Sequence, residues 1–449
     1  MFKKILVANR GEIALRVIRA CRELDIPSVA VFSDADRNSL HVKLADESVG
    51  IGPALSRKSY LNIENILKAA RDTGADAIHP GYGFLAENAS FARACENASV
   101  AFIGPSAACI ADSGNKSSAR KKLKRMGIPV IPGSEDTVIS IEQAMQVAEE
   151  VGYPVIIKAS GGGGGRGMRI VGKAEELSEA MKMASGEARA AFGNPDIYLE
   201  KYIERPRHIE VQILSDGFGN YRHLFERECS IQKRHQKLIE EAPSSFVDEV
   251  LRKKIIGTAL MIAGFIGYTN AGTIEFLVDQ EKTFYFMEVN ARIQVEHPVT
   301  EMVTGIDLVQ EQIRVAAGEE LGWRQEEIRL NGWALECRIN AEDPNNRFMP
   351  SPGTVKSLML PGGPGIRLDT HLYAGYDVPP FYDSLICKAI AWGENREMAI
   401  KRMQRALIEF RIDGIHTTVP FHQKLLADPH FARGDIHTHF LDDLTAKPV

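Results

Sequence analysis

Apolar runs in the first part of the chain alternate between strand and helix patterns. Residues 4–9 form a short apolar run, and from Gly11 onward apolar positions recur with the spacing of one helix face. Pro27 ends that pattern, and residues 28–32 form a second apolar run. This order predicts a βαβ unit. Because the alternation continues through about the first 110 residues, we expect a doubly wound α/β domain over residues 1–113.

The first turn of this unit bears on the choice of cofactor. It contains a single glycine, Gly11, whereas a dinucleotide-binding turn carries the G-x-G-x-x-G pattern. The sequence therefore argues against a nicotinamide-dependent oxidoreductase.

Residues 283–300 combine a strand pattern with a polar alternation. The first part is aromatic and apolar, which is typical of a strand. From Glu288 onward every second side chain is polar. Because an extended chain sends alternate side chains to opposite faces, we expect one face to carry five polar groups. They are Glu288, Asn290, Arg292, Gln294 and Glu296.

A second strand pattern precedes this stretch. Residues 272–278 are followed by the polar break 279–282, which is typical of a β-hairpin turn. Folding the hairpin places Glu275 roughly opposite Glu288. Like charges directly opposed on a sheet are destabilising unless something offsets them. With the Asn290 amide, the two carboxylates form an oxygen cluster suited to Mg²⁺.

Five consecutive glycines, residues 161–165, lie between two further apolar runs. The run before them ends in Lys158, and the run after them, residues 168–171, has a strand pattern. A Walker A loop or a Rossmann turn would lead into a helix instead. One interpretation is a flexible linker. We favour a glycine-rich hairpin whose backbone N–H groups cover phosphates.

The remaining patterns complete an α/β architecture with α+β elements. They comprise a basic helix at 115–126, a helix at 174–192, a basic loop at 227–237, one helix at 302–317 ended by Gly318, and an alternating strand at 333–340. We expect a central ATP-binding domain at 114–330, with a glycine-rich lid at about 130–203. A mixed C-terminal domain would follow at 331–447.

Composition narrows the class of protein. The chain has 449 residues, 44% of them hydrophobic and 25% charged, which is too long for a single core. A net charge of −5 argues against nucleic-acid binding, and no apolar run is long enough for a membrane span or a signal peptide. Six cysteines without C-x-x-C spacing indicate reduced thiols. These features predict a cytoplasmic multidomain protein.

The tetrapeptide at residues 180–183, Ala-Met-Lys-Met, matches the site that carries covalent biotin in carrier domains. In those domains it lies on a hairpin turn. Here Leu177, Met181 and Ala184 keep helical spacing around it. We therefore predict that Lys182 is not biotinylated.

Several strings together resemble the biotin carboxylase family, the ATP-grasp component of biotin-dependent carboxylases. The match extends over essentially the whole chain. The strings are ANRGEIA at 8–14, HPGYGFLAEN at 79–88, KASGGGGGRGMR at 158–169, RHQK at 234–237, EVNARIQVEHPVTE at 288–301, ECRINAEDP at 336–344 and PPFYDS at 379–384.

The resemblance implies a role for each matching residue. The ATP site would consist of Lys116, Lys158, Gly164, Gly165, Glu200, Lys201, Ile203, His208, Gln232 and His235. Mg²⁺, with Mn²⁺ as an alternative ion, would bind Glu275, Glu288 and Asn290. Bicarbonate would bind Lys237, Arg292, Gln294 and Val295, and the biotin ureido ring would face Arg338 and Tyr82. The catalytic residues would be Glu296, the general base, with Arg292, Lys237 and Arg338.

The resemblance also implies the reaction and the partners. Biotin on a separate carrier protein would be carboxylated with ATP and bicarbonate through carboxyphosphate. No β-rich carrier pattern and no acyl-transfer domain pattern occur in the sequence. We therefore expect a biotin carboxyl carrier protein and a carboxyltransferase as separate subunits, most simply those of an acetyl-CoA carboxylase, and a homodimer of this chain. No nucleic acid or membrane is expected.

Two alternatives belong to other functional classes. One is another ATP-grasp ligase that makes acyl phosphates, and the sequence at 292–301 together with Arg338 speaks against it. The other is a non-catalytic nucleotide-binding subunit. Such a subunit is expected to lose Glu296, Lys237 or a metal carboxylate, and all of these are present. The final carboxyl acceptor would be chosen by the carboxyltransferase and is left open by this chain.

Overall fold

The computed structural model describes residues 1–114, 116–159, 168–192 and 194–446. The described residues form a parallel N-terminal sheet, a small lid sheet and a large eight-stranded sheet, with a few two-stranded ribbons. All six cysteines are buried and free. In this part of the chain, no helix has the length and apolar character needed to cross a membrane.

The N-terminal sheet has the strand order β3-β2-β1-β4-β5, with all neighbours parallel. Its strands extend in both directions from the central β1, which confirms the doubly wound prediction. The apolar face of α1 packs against β1 in one core cluster. The elements are β1 (Ile5–Val7), α1 (Gly11–Glu23), β2 (Ser28–Phe32), α2 (Leu40–Leu44), β3 (Glu47–Gly50), α3 (Ile63–Thr73), β4 (Ala77–His79), α4 (Ala89–Asn97), β5 (Ala101–Phe102) and α5 (Ala107–Gly114).

Residues 130–203, which we call the lid, have their own small core. The lid sheet is antiparallel, in the order β7-β6-β8, and α7 and α8 pack on it. The β6–β7 pairing matches the predicted hairpin around the glycine run. The two chain segments that connect the lid to the rest of the protein lie side by side. An isolated antiparallel bridge joins Gly133 of the first segment to Glu200 at the second. The elements are α6 (Lys116–Arg125), which precedes the lid, α7 (Ile141–Val151), β6 (Val155–Ala159), β7 (Arg169–Val171), α8 (Ala174–Phe192) and β8 (Ile197–Lys201).

The large sheet has the order β13-β12-β9-β10-β11-β14-β21-β19. The apolar side chains of β9 and β12 pack against α9, which leaves the opposite, polar face of these strands to the interior cleft. The central elements are β9 (Arg207–Ser215), β10 (Tyr221–Lys233), β11 (Gln236–Ala242), α9 (Glu249–Phe265), β12 (Asn270–Val278), β13 (Phe284–Asn290), α10 (His297–Thr304) and α11 (Leu308–Ala316).

The C-terminal part shares this sheet, because β14 pairs with β11 across the predicted boundary at 330/331. Leu335, Cys337 and Ile339 of β14 lie in the C-terminal core, as the alternation predicted. The elements are β14 (Trp333–Asn340), β15 (Glu342–Asp343), β16 (Met349–Pro350), β17 (Gly353–Thr354), β18 (Ser357–Met359), β19 (Ile366–Thr370), β20 (Asp377–Val378), β21 (Leu385–Gly393), α12 (Arg396–Glu409), β22 (Arg411–Asp413), α13 (Val419–Leu426), α14 (Pro429–Arg433) and α15 (Phe440–Ala446).

The polar alternation after Glu288 is not one extended strand. β13 ends at Asn290, and the next backbone N–H, of Ala291, donates to the Glu87 carboxylate at 3.0 Å. The chain then turns into α10, which has Pro298 in its first turn. The prediction of a single strand face is therefore wrong beyond Asn290, because a side chain from the N-terminal domain and the start of a helix replace the strand pairing.

The predicted helix at 302–317 is two helices. Gly305 adopts a left-handed conformation, with φ of 73°, and ends α10. The Asp307 side chain then accepts from the Gln310 N–H and starts α11. The apolar spacing concealed this break, and the capping residues identify it.

The predicted basic loop at 227–237 is instead the tip of the β10–β11 hairpin. Arg234 and His235 form the turn with positive φ values of 50° and 65°. Arg227 is fully buried, and its guanidinium donates to Glu210 at 2.5 Å. The prediction of a loop was wrong because the run forms the paired ends of two strands, and a buried carboxylate on a neighbouring strand pairs with Arg227.

Candidate active site

A cleft of about 2500 Å³ separates the lid from the large sheet. We call the sheet side of this cleft, formed by β9 to β14 and residues 291–296, the wall. Most of the predicted site residues line the cleft. They are Tyr82, Lys158, Glu200, Lys201, Ile203, His208, Gln232, His235, Lys237, Glu275, Glu288, Asn290, Arg292, Gln294, Val295 and Arg338.

Four other predicted site residues are not among those that line the cleft. Glu296 is fully buried and lies just behind the cleft surface. Lys116 begins α6, but its side chain is outside the described part of the structure. Gly164 and Gly165 lie outside the described residues.

Lys237 is the centre of the charged cluster on the wall. Its Nζ donates to Glu210 at 2.6 Å, to Glu275 at 2.9 Å and to Glu296 at 2.6 Å. Burial alone would lower the pKa of this ammonium, but the three carboxylates raise the pKa well above its ordinary value. Lys237 is therefore a permanent cation in the folded protein.

Arg338 bridges two buried carboxylates. Its Nε donates to Glu240 at 2.6 Å, and one terminal nitrogen donates to Glu296 at 2.9 Å. Burial would raise the pKa of Glu296, yet Lys237, Arg338 and Arg227 together hold the pKa well below its ordinary value. Glu296 is thus an ionised carboxylate between two cations, which is the protonation state that a general base requires.

The hairpin of β12 and β13 carries the oxygen cluster. Glu275 pairs directly with Glu288 in the antiparallel register, as predicted. Glu275 accepts from Lys237 and from Gln294, at 3.2 Å, and its other oxygen lies 3.0 Å from His208 Nε2. These contacts hold the pKa of Glu275 far below its ordinary value despite burial.

The donor chemistry of this cluster fits Mg²⁺. Two carboxylates and the Asn290 amide oxygen are hard oxygen ligands on one wall of a polar cleft. The buried Asn290 amide nitrogen has no hydrogen-bond partner among the described residues, while its oxygen accepts from Arg292 at 3.3 Å. An amide nitrogen is a donor and cannot bind a metal ion, so the oxygen is the Asn290 atom that would face Mg²⁺.

Arg292 is tied to the N-terminal domain. Its Nε donates to Glu87 at 2.9 Å, and a terminal nitrogen donates to Gln294 at 2.8 Å. The Val295 carbonyl accepts from Lys388 at 2.9 Å. Contacts from two other domains therefore fix the irregular segment after β13, so that its cation and its amide both face the cleft.

The lid presents a simpler set of charges. Lys158 on β6 donates to Glu200 on β8 at 2.6 Å, and Arg120 contacts the other oxygen of Glu200. Lys201 donates to the carbonyls of Gly152 and Tyr153. Of these two lysines, only Lys158 pairs with a carboxylate at the cleft.

The cleft end near the hairpin turn of β10 and β11 has aromatic and amide character. Gln232 contacts His208 Nδ1 at 2.9 Å and donates to the Cys229 carbonyl. Ile203 and His235 line the same end. Such a mixture of apolar and neutral polar groups suits a planar heterocyclic base.

Tyr82 is held by groups that sequence reasoning missed. Its hydroxyl donates to Glu12, and Glu12 lies 3.2 Å from Lys388 Nζ. Burial and Glu12 raise the pKa of Tyr82 well above its ordinary value, so the hydroxyl keeps its proton. Lys388 is fully buried on β21, where the surrounding apolar residues had concealed it.

The other missed residues are carboxylates on the wall and beside it. They are Glu87, Glu210, Glu240 and Glu336, with Arg227 as a buried cation. Glu210 could have been found, because residues 208–213 alternate polar and apolar in the same way as the stretch after Glu288. Glu240 and Glu87 carry no comparable local signal.

Lys182 lies in the interior of α8, an α-helix on the outside of the lid, and its side chain is exposed. The bounds of α8, residues 174–192, are those predicted from the sequence. A hairpin turn, the setting of biotinylated lysines in carrier domains, is absent from this segment of the described chain.

Family models match three consecutive parts of the chain. The biotin carboxylase N-terminal domain matches residues 1–110, the carbamoyl-phosphate synthase L chain ATP-binding domain matches residues 115–324, and the biotin carboxylase C-terminal domain matches residues 336–443. Together they cover most of the chain.

Full-length relatives and solved structures agree with these matches. Biotin carboxylase 1 of Bacillus subtilis is 56% identical over 98% of this chain and 98% of its own length. The structure of Campylobacter jejuni biotin carboxylase in a β,γ-ATP complex superposes with a TM-score of 0.95 at 48% identity, covering 99% of each chain. The biotin carboxylase domain dimer of Hydrogenobacter thermophilus 2-oxoglutarate carboxylase, bound to MgADP, ADP and bicarbonate, superposes with a TM-score of 0.93 at 50% identity, covering 99% of this chain and 98% of that chain.

The fold and the site thus define an ATP-dependent ligase with three domains. The chain belongs to the biotin carboxylase family, and the resemblance found in the sequence is confirmed.

Proposed function

We propose that this protein carboxylates biotin on a separate carrier protein, with ATP and bicarbonate as co-substrates and carboxyphosphate as intermediate. It would perform the first half-reaction of a multisubunit carboxylase, most simply the acetyl-CoA carboxylase of fatty acid biosynthesis. The observation that supports this most strongly is the buried group of Lys237, Glu296 and Arg338 beside the oxygen cluster of the wall. That arrangement combines a base with fixed cations.

The nucleotide would lie between the lid and the wall. Lys116 and Lys158 would hold its phosphates, with Gly164 and Gly165 as cover. Glu200, Lys201 and Ile203 would contact the adenine base, largely through backbone groups. His208, Gln232 and His235 would complete the nucleotide pocket. Glu275, Glu288 and Asn290 would hold Mg²⁺, which neutralises phosphate charge when bound.

Bicarbonate would bind beside Lys237, Arg292, Gln294 and Val295. Glu296 takes its proton, and the resulting oxygen nucleophile receives the γ-phosphoryl group, which yields ADP and carboxyphosphate. Phosphoryl transfer depends on positioning and charge neutralisation, which fixed cations such as Lys237 and Arg292 would supply. Closure of the lid keeps water away from the labile intermediate.

Biotin would enter next to Arg338 and Tyr82. Carboxyphosphate decomposes to CO₂ and phosphate, and the phosphate takes the proton of the ureido nitrogen. Arg338 then stabilises the negative charge that develops on the ureido oxygen, and the nitrogen attacks CO₂. Glu296 loses a hydrogen bond when Arg338 turns to biotin.

We further propose that the chain acts in the cytoplasm as a homodimer, with a biotin carboxyl carrier protein and a carboxyltransferase as partners. The support is a dimer in one solved structure and the composition of the chain. The acceptor of the carboxyl group would be set by the carboxyltransferase, since the family includes parts of carboxylases with different acceptors.

The test is ADP release from purified protein with MgATP, first without and then with bicarbonate, and then with free biotin. Bicarbonate-dependent turnover stimulated by biotin is the expected result. Turnover indifferent to both additions would indicate another ATP-grasp ligase. ATP binding without turnover, also in the presence of biotinylated carrier protein, would indicate a nucleotide-binding subunit.

A further inference from the structure

Two buried glutamates face each other directly behind Arg338. Glu240 on β11 pairs with Glu336 on β14 in the antiparallel register, and both side chains are fully buried. Directly opposed residues have Cβ atoms about 4.5–5.5 Å apart. Two ionised carboxylates this close in a buried sheet would repel each other strongly, so their protonation state requires an explanation.

The hydrogen bonds of the two side chains are unequal. One oxygen of Glu240 accepts from Arg338 Nε at 2.6 Å, whereas its other oxygen has no donor among the described residues. Neither oxygen of Glu336 has a donor in the same part of the chain. A buried carboxylate without hydrogen bonds is far too costly to remain ionised. The geometry therefore favours a neutral Glu336 beside an ionised Glu240.

The charged groups around the pair also favour a neutral Glu336. The groups that face the pair are Lys237 on β11, Arg338 on β14, Lys388 on β21, Glu296 at the start of α10, Tyr82 from the N-terminal domain, and the thiols of Cys229 on β10 and Cys337 on β14. Burial raises the pKa of both thiols well above the ordinary value, so both are neutral. Lys237 and Lys388 are already engaged by other acceptors, namely Glu210, Glu275 and Glu296 for Lys237, and Glu12 and the Val295 carbonyl for Lys388. No cation in this set is left to pair with Glu336.

The direction of the pKa shifts agrees with this geometry. Burial raises the pKa of Glu336 well above its ordinary value, and the nearby Lys388 and Arg338 offset only part of that effect. Burial also raises the pKa of Glu240, to about 7, although Arg338 lowers it. Glu240 is thus the first of the two to ionise.

We propose that Glu240 and Glu336 are a carboxyl pair that holds one proton, on Glu336, and positions the guanidinium of Arg338. The ionised member holds Arg338 Nε, and the neutral member keeps a second negative charge away from the guanidinium. Both are positioning residues, because they act through Arg338. The part of the proposal that concerns catalysis rests on the proposed function, whereas the proton held on Glu336 does not.

The proton held on Glu336 can be measured without any activity assay. The unfolded chain releases the Glu336 proton above pH 4.5, whereas the folded protein keeps it, so folding takes up one proton. As the pH rises, the wild-type folding equilibrium constant should therefore fall by about tenfold per pH unit relative to that of Glu336→Gln. The variant has no carboxyl proton to hold at this position. Urea unfolding of both proteins between pH 5 and pH 8 measures this ratio.

Glu301→Gln is the matched control. Glu301 is also buried, but Arg16 and Arg367 hold the pKa of its carboxyl below the ordinary value. Its stabilising effect is complete above pH 4.5, so the ratio for this variant should not change between pH 5 and pH 8. A flat ratio for Glu336→Gln as well would overturn the proposal. If Glu336→Gln does not fold, Glu336→Met, neutral and of similar volume, replaces it.

The positioning role is tested by the pH profile of kcat/KM for free biotin. Wild type should lose activity as the pH falls through about 7, because Glu240 becomes neutral and releases Arg338 Nε. Glu336→Gln should keep this acid limb and stay within about threefold of wild type. Glu240→Gln should lose the limb and bind biotin more weakly, with bicarbonate-dependent ATP hydrolysis less affected. An acid limb retained in Glu240→Gln, or a loss of 100-fold or more in folded Glu336→Gln, would refute the positioning role.

Discussion

Lys237 on the wall and Lys158 on the lid face the same cleft, but their surroundings differ. Lys237 has a side chain only 13% exposed and contacts three carboxylates, whereas Lys158 is 25% exposed and contacts one. The wall residues come from several strands of one large sheet and from the segment 291–296 that follows β13. The lid lysine belongs to a small sheet with its own core.

This difference indicates that the wall and the lid contribute to different steps of the reaction. On the wall, ions are already placed and desolvated, so they can stabilise developing charge without reorganisation. On the lid, a single ion pair can be exchanged for a phosphate at little cost. We therefore expect chemistry to depend on the wall and nucleotide capture to depend on the lid.

The largest effect is expected from Glu296→Ala, which removes the proposed base from the wall. Turnover should fall by roughly 10²- to 10⁴-fold, as is usual for a lost general base, while ATP binding stays near normal. Steady-state kinetics and ATP titration measure the two quantities.

Glu210→Gln is a matched control for this variant, since Glu210 is equally buried and also lies 2.6 Å from Lys237 Nζ. A much smaller loss of turnover is expected for it. Equal losses in both variants would mean that Glu296 only anchors Lys237.

A comparison of Lys237→Met with Lys158→Met tests the contrast in stability. Removal of Lys237 leaves buried carboxylates without their shared cation and should lower the free energy of unfolding by about 3–5 kcal/mol. Removal of the more exposed Lys158 should cost ~1 kcal/mol or less, because Glu200 keeps its contact with Arg120. Urea denaturation at pH 7.5 gives both values. Similar losses from the two sites would break the distinction between wall and lid.

A smaller effect is expected at the base of the lid. A Cβ on Gly133 would collide with the backbone of Leu199 and Glu200, where the two lid connections pair. Gly133→Ala should therefore lower stability by about 1–3 kcal/mol and raise KM for MgATP more than it lowers kcat.

Gly186→Ala, in the middle of α8, is the control for that variant. A Cβ there meets no atom within 4 Å, and alanine is the better helix former, so stability should be unchanged or slightly higher. A KM increase of the same size in both variants would show that the paired connections have no special role.

No modification at all is expected at Lys182, the lysine of the Ala-Met-Lys-Met string on the lid. A helix interior does not present the turn on which carrier domains display this lysine. Mass spectrometry of protein co-expressed with a biotin ligase should find Lys182 unmodified. Biotin on Lys182 would contradict the prediction and would require this helix to open.

Much of the fold followed from local pattern. The strand over residues 28–32 was predicted with its observed bounds from a continuous apolar run. The helix over residues 174–192 and the strand over residues 333–340 were predicted with theirs from clear periods. Errors occurred where a tertiary contact or a local helix cap overrides such a period. Glu87 ends the polar alternation at Ala291, and Gly305 divides an apolar run into two helices.

The sequence by itself determined the family, the order of the elements and the pairing of Glu275 with Glu288, since these depend on short motifs and a single hairpin. Only the tertiary structure decided which charges are buried together. Lys237 acquires carboxylates from three other elements, and the Glu240–Glu336 pair forms across strands far apart in the sequence. The physical reason is that the electrostatics of a site depend on distance and desolvation, which sheet register and domain packing set and local periodicity does not.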